Sequence, residues 1–125
     1  MKFKICREFH FDAAHHLMDY DGACERIHGH TYSLEVCVTG ERDEDGMVMD
    51  FGDLKKIVQE KVISMLDHQD LNDVFDNPTC ENIAQWIFDC TEKEVSDYNK
   101  SAAGEIKVCS VKLYEGKGKY VKIEG

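Results

Sequence analysis

Thr31-Tyr32-Ser33-Leu34-Glu35-Val36-Cys37-Val38-Thr39 alternates without a break, with Tyr32, Leu34, Val36 and Val38 on one side and Ser33, Glu35 and Cys37 on the other. Period two is the mark of a strand with one buried and one wetted face. Phe3 to Phe11 repeats it, setting Phe3, Ile5, Arg7, Phe9 and Phe11 against Lys4, Cys6, Glu8 and His10. The two strands are separated by a polar stretch from Ala13 to Gly29, rich in His, Asp and Gly. That stretch is long for a hairpin turn, and loops of such length usually carry function.

Downstream the period changes. After the polar turn Glu41 to Gly46 and the short run Met47-Val48-Met49, apolar residues recur at Leu54, Ile57, Val58, Val62, Met65 and Leu66. This spacing predicts a helix from Asp53 to Leu66, with Asp50 or Asp53 as its N-cap. Asp67 to Asp73 breaks the pattern, and Pro78-Thr79 announces a second helix capped by Thr79. Its buried stripe would be Ile83, Ala84, Ile87, Cys90, Thr91 and Val95, fading near Tyr98 before Asn99-Lys100-Ser101 and Gly104. Glu105 to Glu115 and Tyr120 to Ile123, joined by Gly116-Lys117-Gly118-Lys119, read as a closing hairpin. The expectation is a single α+β domain over residues 1–125, of order ββααββ, with two helices on one face of a four-stranded antiparallel sheet. Such a sheet has edges to cover and the domain is small, so a homo-oligomer is expected.

The 125 residues carry a formal charge of -10, a field that repels nucleic-acid backbones and anionic membrane surfaces. No apolar run approaches the roughly 20 residues of a membrane-spanning helix. Six cysteines in so short a chain raise the question of a disulfide framework. The chain opens Met1-Lys2-Phe3-Lys4-Ile5, without an apolar leader, so the expectation is a cytoplasmic, reducing setting. Each thiol is then core filler or chemistry, with Cys37, Cys90 and Cys109 expected as inert buried thiols.

Chemistry concentrates at the entry to the second strand. In His28-Gly29-His30 the imidazoles are two apart, hence on one side of a strand, and Gly29 would let backbone approach closely. Neutral imidazole is a preferred zinc ligand, and a catalytic site takes three protein ligands with a fourth position open. His15, at the end of the first strand, is the nearest third candidate, with His16 and His10 as competitors. Cys24 sits in the same polar loop beside Glu25 and Arg26, and three roles fit it: a fourth ligand closing a structural site, a base, or a nucleophile. Asp67-His68 follows the first helix, either as a helix-terminal pair favoured by the dipole or as a carboxylate-oriented imidazole that exchanges protons. Glu81, in the first turn of the second helix, is likewise ambiguous. Glu115 shares a side with Val111 and Leu113, where a carboxylate is costly unless a donor-rich partner meets it.

Taken together, Phe11-Asp12-Ala13-Ala14-His15, Cys24-Glu25-Arg26-Ile27-His28-Gly29-His30, Met49-Asp50-Phe51, Leu66-Asp67-His68, Pro78-Thr79-Cys80-Glu81-Asn82 and Leu113-Tyr114-Glu115 resemble the 6-pyruvoyltetrahydropterin synthase and 6-carboxytetrahydropterin synthase family. The resemblance spans nearly the whole chain in order. It implies a tunnelling fold, with subunits assembling as trimeric barrels that stack into hexamers and place active sites at subunit interfaces. It implies His15, His28 and His30 as zinc ligands, Cys24 as general base, and Asp67 and His68 as its proton-relay partners. Glu115 would hold the pterin ring, with Thr79 and Glu81 in a further pterin-contacting block; Cys80 stands where the family usually has a small hydroxyl or alanine. The spacing Cys-x-x-x-His-Gly-His resembles the carboxy-forming branch of the queuosine route. That branch converts 7,8-dihydroneopterin triphosphate to 6-carboxy-5,6,7,8-tetrahydropterin, acetaldehyde and triphosphate. The alternatives are pyruvoyl formation, folate-branch side-chain cleavage, a three-histidine zinc hydrolase and a non-enzymatic zinc module. A triphosphate on so acidic a chain requires a local cluster of cations, for which Arg26, Lys100, Lys117 and Lys119 are the candidates.

Overall fold

The computed structural model describes residues 1–15, 28–99 and 105–125. Both alternating segments are strands, longer than their apolar runs: β1 covers Phe3–His15 and β2 covers His28–Gly40. They pair antiparallel from Phe3↔Gly40 to His15↔His28, so Ala13, Ala14 and Gly29, expected in a loop, belong to the ladder. β4 (Lys107–Glu115) pairs antiparallel with β2, and β5 (Tyr120–Glu124) with β4. Gly116 and Gly118, both at positive φ, turn the β4–β5 hairpin in conformations that a side chain would oppose.

The expected four strands gain a fifth. Gln69–Asp70 forms β3, parallel to Ala13 and Ala14 of β1, and the sheet order is β3-β1-β2-β4-β5. Two polar residues carry no periodicity, so this strand had no signal in the sequence. Among the described residues, β5 and most of β1 have no strand paired along their outer edges.

One face of the sheet is covered by helix. α1 (Phe51–Val58) continues through a π-helical stretch, Gln59–Ile63, into a last turn, α2 (Ser64–Leu66). Of the two candidate caps, Asp50 is the one used, its carboxylate accepting from the Gly52 N–H at 2.6 Å. α3 (Cys80–Asn99) starts as expected, with Thr79 Oγ1 accepting from the Asn82 N–H at 3.1 Å. Ile83, Ala84, Ile87, Thr91 and Val95 form its buried stripe, while Cys90 lies only half-buried at its margin. These residues close on Phe9, Phe11, Leu34, Val36, Val111 and Leu113 of the sheet. Fully burying each such side chain contributes on the order of 1.5–3 kcal/mol. Tyr98 of α3 donates to Asp53 Oδ2 of α1 at 3.1 Å, tying the two helices together.

The helix-free face is polar. There Cys6 and Cys37, directly opposed in the β1–β2 register, form a disulfide with their Cα atoms 4.1 Å apart. This corrects the expectation of free thiols throughout: Cys37 is buried, but as half of a cross-strand bridge. Antiparallel pairing brings together two cysteines 31 positions apart, a proximity invisible until the register is known.

Candidate active site

Strand alternation sorts the candidate residues onto two sides. The register pairs Phe11↔Tyr32, Ala13↔His30 and His15↔His28 on β1 and β2, and Tyr32↔Glu115 on β2 and β4, so the side chains of Phe11, Ala13, His15, His30, Tyr32 and Glu115 share the helix-covered side. His15 is buried, and its Nε2 lies 3.7 Å from Glu115 Oε1. His30 Nε2 lies 3.2 Å from the same oxygen. One donor atom from each of the three residues falls within 4.8 Å of the others. The His15 and His30 rings are tilted, with centroids 5.0 Å apart. On the far side of His15, Nδ1 is hydrogen-bonded to the hydroxyl of Tyr32. Burial, then the charges of Glu115 and Cys80, push the Tyr32 phenol far up, so it stays neutral.

Glu115 also borders a cavity of about 170 Å³, lined with it by Cys80, Lys119, Tyr120 and Val121. The carboxylate that stood out on an apolar strand thus meets imidazoles on one flank and a small pocket on the other. The Cys80 thiol is pushed up to about 11, chiefly by burial and next by the charges of Glu115 and Glu81, and it donates toward the Leu113 carbonyl at 3.5 Å.

A second cluster forms where β3 meets β1. Asp67 Oδ1 accepts from the Asp12 N–H at 3.0 Å, and the His68 N–H donates to the Asp12 carbonyl at 2.6 Å. This backbone clamp holds His68 at φ 60, the single non-glycine residue at positive φ among the described residues. It sets His68 Nδ1 3.0 Å from Asp67 Oδ2. Asp67 is held below the usual carboxylate range, first by the Asp12 amide and further by His68. Thr31 Oγ1 donates to Asp12 Oδ1 at 2.6 Å, joining β2 to the cluster. Asp12 and Thr31 are a register pair one step out of phase with Ala13 and His30, so their side chains point to the helix-free side. An open cleft of about 510 Å³ at this end of the sheet is lined by Asp12, Gly29, His30, Thr31, His68 and Asp70, among others.

The 6-pyruvoyl tetrahydropterin synthase family model matches residues 4–125. This chain belongs to that family. Among its relatives, a dihydroneopterin monophosphate aldolase of Pyrococcus furiosus is 43% identical over 124 residues, covering 99% of each chain. A 6-carboxy-5,6,7,8-tetrahydropterin synthase of Synechocystis is 45% identical over 91 residues, covering 67% of this chain and 70% of that one. In three dimensions the 6-pyruvoyl tetrahydropterin synthase of Caenorhabditis elegans superposes with a TM-score of 0.83 at 27% identity, covering 100% of this chain and 96% of that one.

Of the residues singled out by sequence, the structure gathers His15, His30 and Glu115 into one group and Asp67 and His68 into another. Cys24, His16, Arg26, Lys100 and the side chain of His28 lie outside the described residues. His10 is excluded as a partner of this cluster: it points to the helix-free side, its Nδ1 3.1 Å from Ser33 Oγ. Thr79 serves as helix cap and Glu81 is exposed in the next turn, while Cys80 between them reaches the cavity. At Gly29 a Cβ would meet nothing within 4 Å, so the expected close backbone approach is not made by the described residues. Sequence reasoning missed Tyr32 and Asp12 as parts of these clusters. Tyr32 follows His30 by two positions and so shares its face, a signal that was there to be used.

Proposed function

We propose that this protein is a zinc-dependent 6-carboxy-5,6,7,8-tetrahydropterin synthase of the queuosine route, acting on 7,8-dihydroneopterin triphosphate. The observation that carries the reading is the inner-face group of His15, His30 and Glu115 set against a small cavity, within a family of pterin enzymes. Two imidazole nitrogens, of His15 and His30, converge from adjacent strands. Nitrogen and oxygen donors of this kind suit zinc. His15, His28 and His30 would hold the ion, which when bound supplies Lewis acidity toward the hydroxyl oxygens of the pterin side chain.

The remaining work falls to the chain's own groups. Glu115, bordering the cavity, accepts from the amino group and ring N–H of the pterin, a charge-assisted pair that fixes the ring's orientation. Thr79 and Glu81 flank that ring, at the start of α3. The Cys24 thiolate removes a proton from the substrate side chain, and His68, oriented by Asp67, returns one as triphosphate leaves. Lys119, on the cavity wall, is the described cation placed to meet negative charge from the substrate.

The assembly proposed is a homo-oligomer, trimeric or hexameric, in which the Asp67–His68 pair of one subunit serves the histidine cluster of its neighbour. The open outer edges of β1 and β5 offer the strand pairing such an assembly needs.

The full-length likeness to the Pyrococcus aldolase favours a second reading, in which the substrate is the monophosphate and the same side chain is cut by retro-aldol chemistry. Products then separate the two. The zinc-loaded protein is incubated with dihydroneopterin triphosphate and, separately, with the monophosphate, and the products are identified by mass. 6-Carboxytetrahydropterin with acetaldehyde from the triphosphate is the expected result. A 6-hydroxymethyl pterin formed from the monophosphate establishes the second reading, and pyruvoyltetrahydropterin without any aldehyde defeats both. Cys24→Ala is expected to keep its zinc and lose turnover; loss of the metal in that variant would return Cys24 to the role of ligand.

A further inference from the structure

Tyr32 lies at the centre of the helix-covered face and is fully buried. Its ring stacks on Phe11 with centroids 4.9 Å apart and planes within 7°. It stands edge-on to His30 at 5.8 Å and 74°. Its hydroxyl is the hydrogen-bond partner of His15 Nδ1. We propose that Tyr32 is a positioning residue of the metal centre, whose hydroxyl accepts the Nδ1–H of His15 and so presents that imidazole's Nε2, bare of its proton, to the ion.

The argument rests on tautomers. A neutral imidazole carries one proton on two nitrogens and binds a metal only through the nitrogen without it. Whatever holds the proton on Nδ1 therefore selects Nε2, the atom that faces His30 and Glu115. Partners of this kind orient metal-binding histidines and raise their basicity. Tyr32 suits the task because it cannot drift. Phe11 fixes one face of the ring, and both residues sit in the interior of a paired ladder. A neutral phenol accepts more weakly than a carboxylate, so the effect belongs at the lower end of those recorded for outer-shell partners, about tenfold in metal affinity.

The inference rests on the zinc reading, and the experiment separates its failure from the failure of that reading. Zinc affinity is measured by competition with a chromophoric chelator for the wild type, Tyr32→Phe and Phe11→Leu, and the cobalt-substituted forms are compared by their visible d–d bands. Tyr32→Phe is expected to lose about tenfold in zinc affinity and to shift the cobalt bands. Phe11→Leu removes the stacked ring and keeps the hydroxyl; it should lower the melting temperature and cost less metal affinity than Tyr32→Phe. In the zinc-loaded wild type, long-range nitrogen-15 spectra of His15 should place the proton on Nδ1, a readout that holds even where Tyr32→Phe fails to fold. A Tyr32→Phe protein with wild-type zinc affinity and unchanged cobalt bands overturns the proposal alone, as does a His15 bound through Nδ1. A wild type that takes up no zinc overturns the zinc reading and the proposal together.

Discussion

The carboxylate of Asp67 lies 3.0 Å from Nδ1 of His68, and both residues are gripped by the backbone of Asp12, which offers its N–H to one and its carbonyl to the other. The pair is therefore fixed by strand pairing. Its geometry rests on backbone hydrogen bonds, which suits the proton relay proposed for it.

On the proposed function, Asp67→Asn should lower turnover by about a hundredfold or more while bound metal stays at wild-type level, because the imidazole loses its orienting charge. Stability should show the same group from another side. The carboxyl is held below its ordinary range when folded, so its contribution is present above the unfolded value and is lost as pH falls through the folded one. Melting temperatures of the variant and the wild type should thus differ near neutrality and converge in strong acid. A constant offset across the whole range would contradict this account.

The proposed sharing of the site between neighbouring subunits predicts that two inactive proteins should rescue one another. His30→Ala lacks one half of the site and Asp67→Ala the other. Mixed, denatured and refolded together, they should regain activity at about a quarter of sites by random assembly. Separate refolding should give none. Absence of rescue on mixing would place both halves of the site within one subunit.

The bridge between Cys6 and Cys37 spans a sequence separation of 31, a length for which chain entropy gives roughly 3.7 kcal/mol of stabilisation. Cys6→Ser is expected to lower the unfolding free energy extrapolated from urea titration by about that amount, and a reductant should lower that of the wild type but not of the variant. Thiol counting under denaturing conditions, with and without reductant, should differ by two.

Cys80 should be slow to alkylate near pH 8, since its thiol is pushed up to about 11 by burial and then by Glu115 and Glu81. Because the folded value is raised, the associated stability is complete below the ordinary thiol range and declines as pH climbs toward 11. Glu115→Gln removes one of those charges and should speed iodoacetamide labelling of Cys80, followed by peptide mass mapping.

What the sequence made legible follows from periodicity. Alternation in Phe3 to Phe11 and Thr31 to Thr39 exposed the central strand pair, and the caps at Asp50 and Thr79 exposed both helices. The fifth strand escaped because two residues have no period and their partner is remote and parallel. The π-helical stretch escaped because Val62 and Ile63 keep an apolar pattern that an α-helix would share. In the candidate site, the proximity of His30 to His15 was expected from their places at adjoining strand ends, whereas the contact of the Tyr32 hydroxyl with one nitrogen of His15 is one that residue type alone does not encode. Likewise Asp12 acts through its backbone on Asp67 and His68, and a backbone group leaves no trace in composition.

The bridge has one more consequence. A ladder that slips by one position turns every side chain on the moving strand to the opposite face. In β1 such a slip would swing His15 away from His30 and dismantle the histidine cluster while leaving both strands intact. Cys6 and Cys37 lie nine positions from His15 and His28 along the same ladder, and their covalent bond permits only one alignment. The sulfur pair thus works as a ruler for a site it does not touch, setting at one end of the strands the phase in which the imidazoles meet at the other.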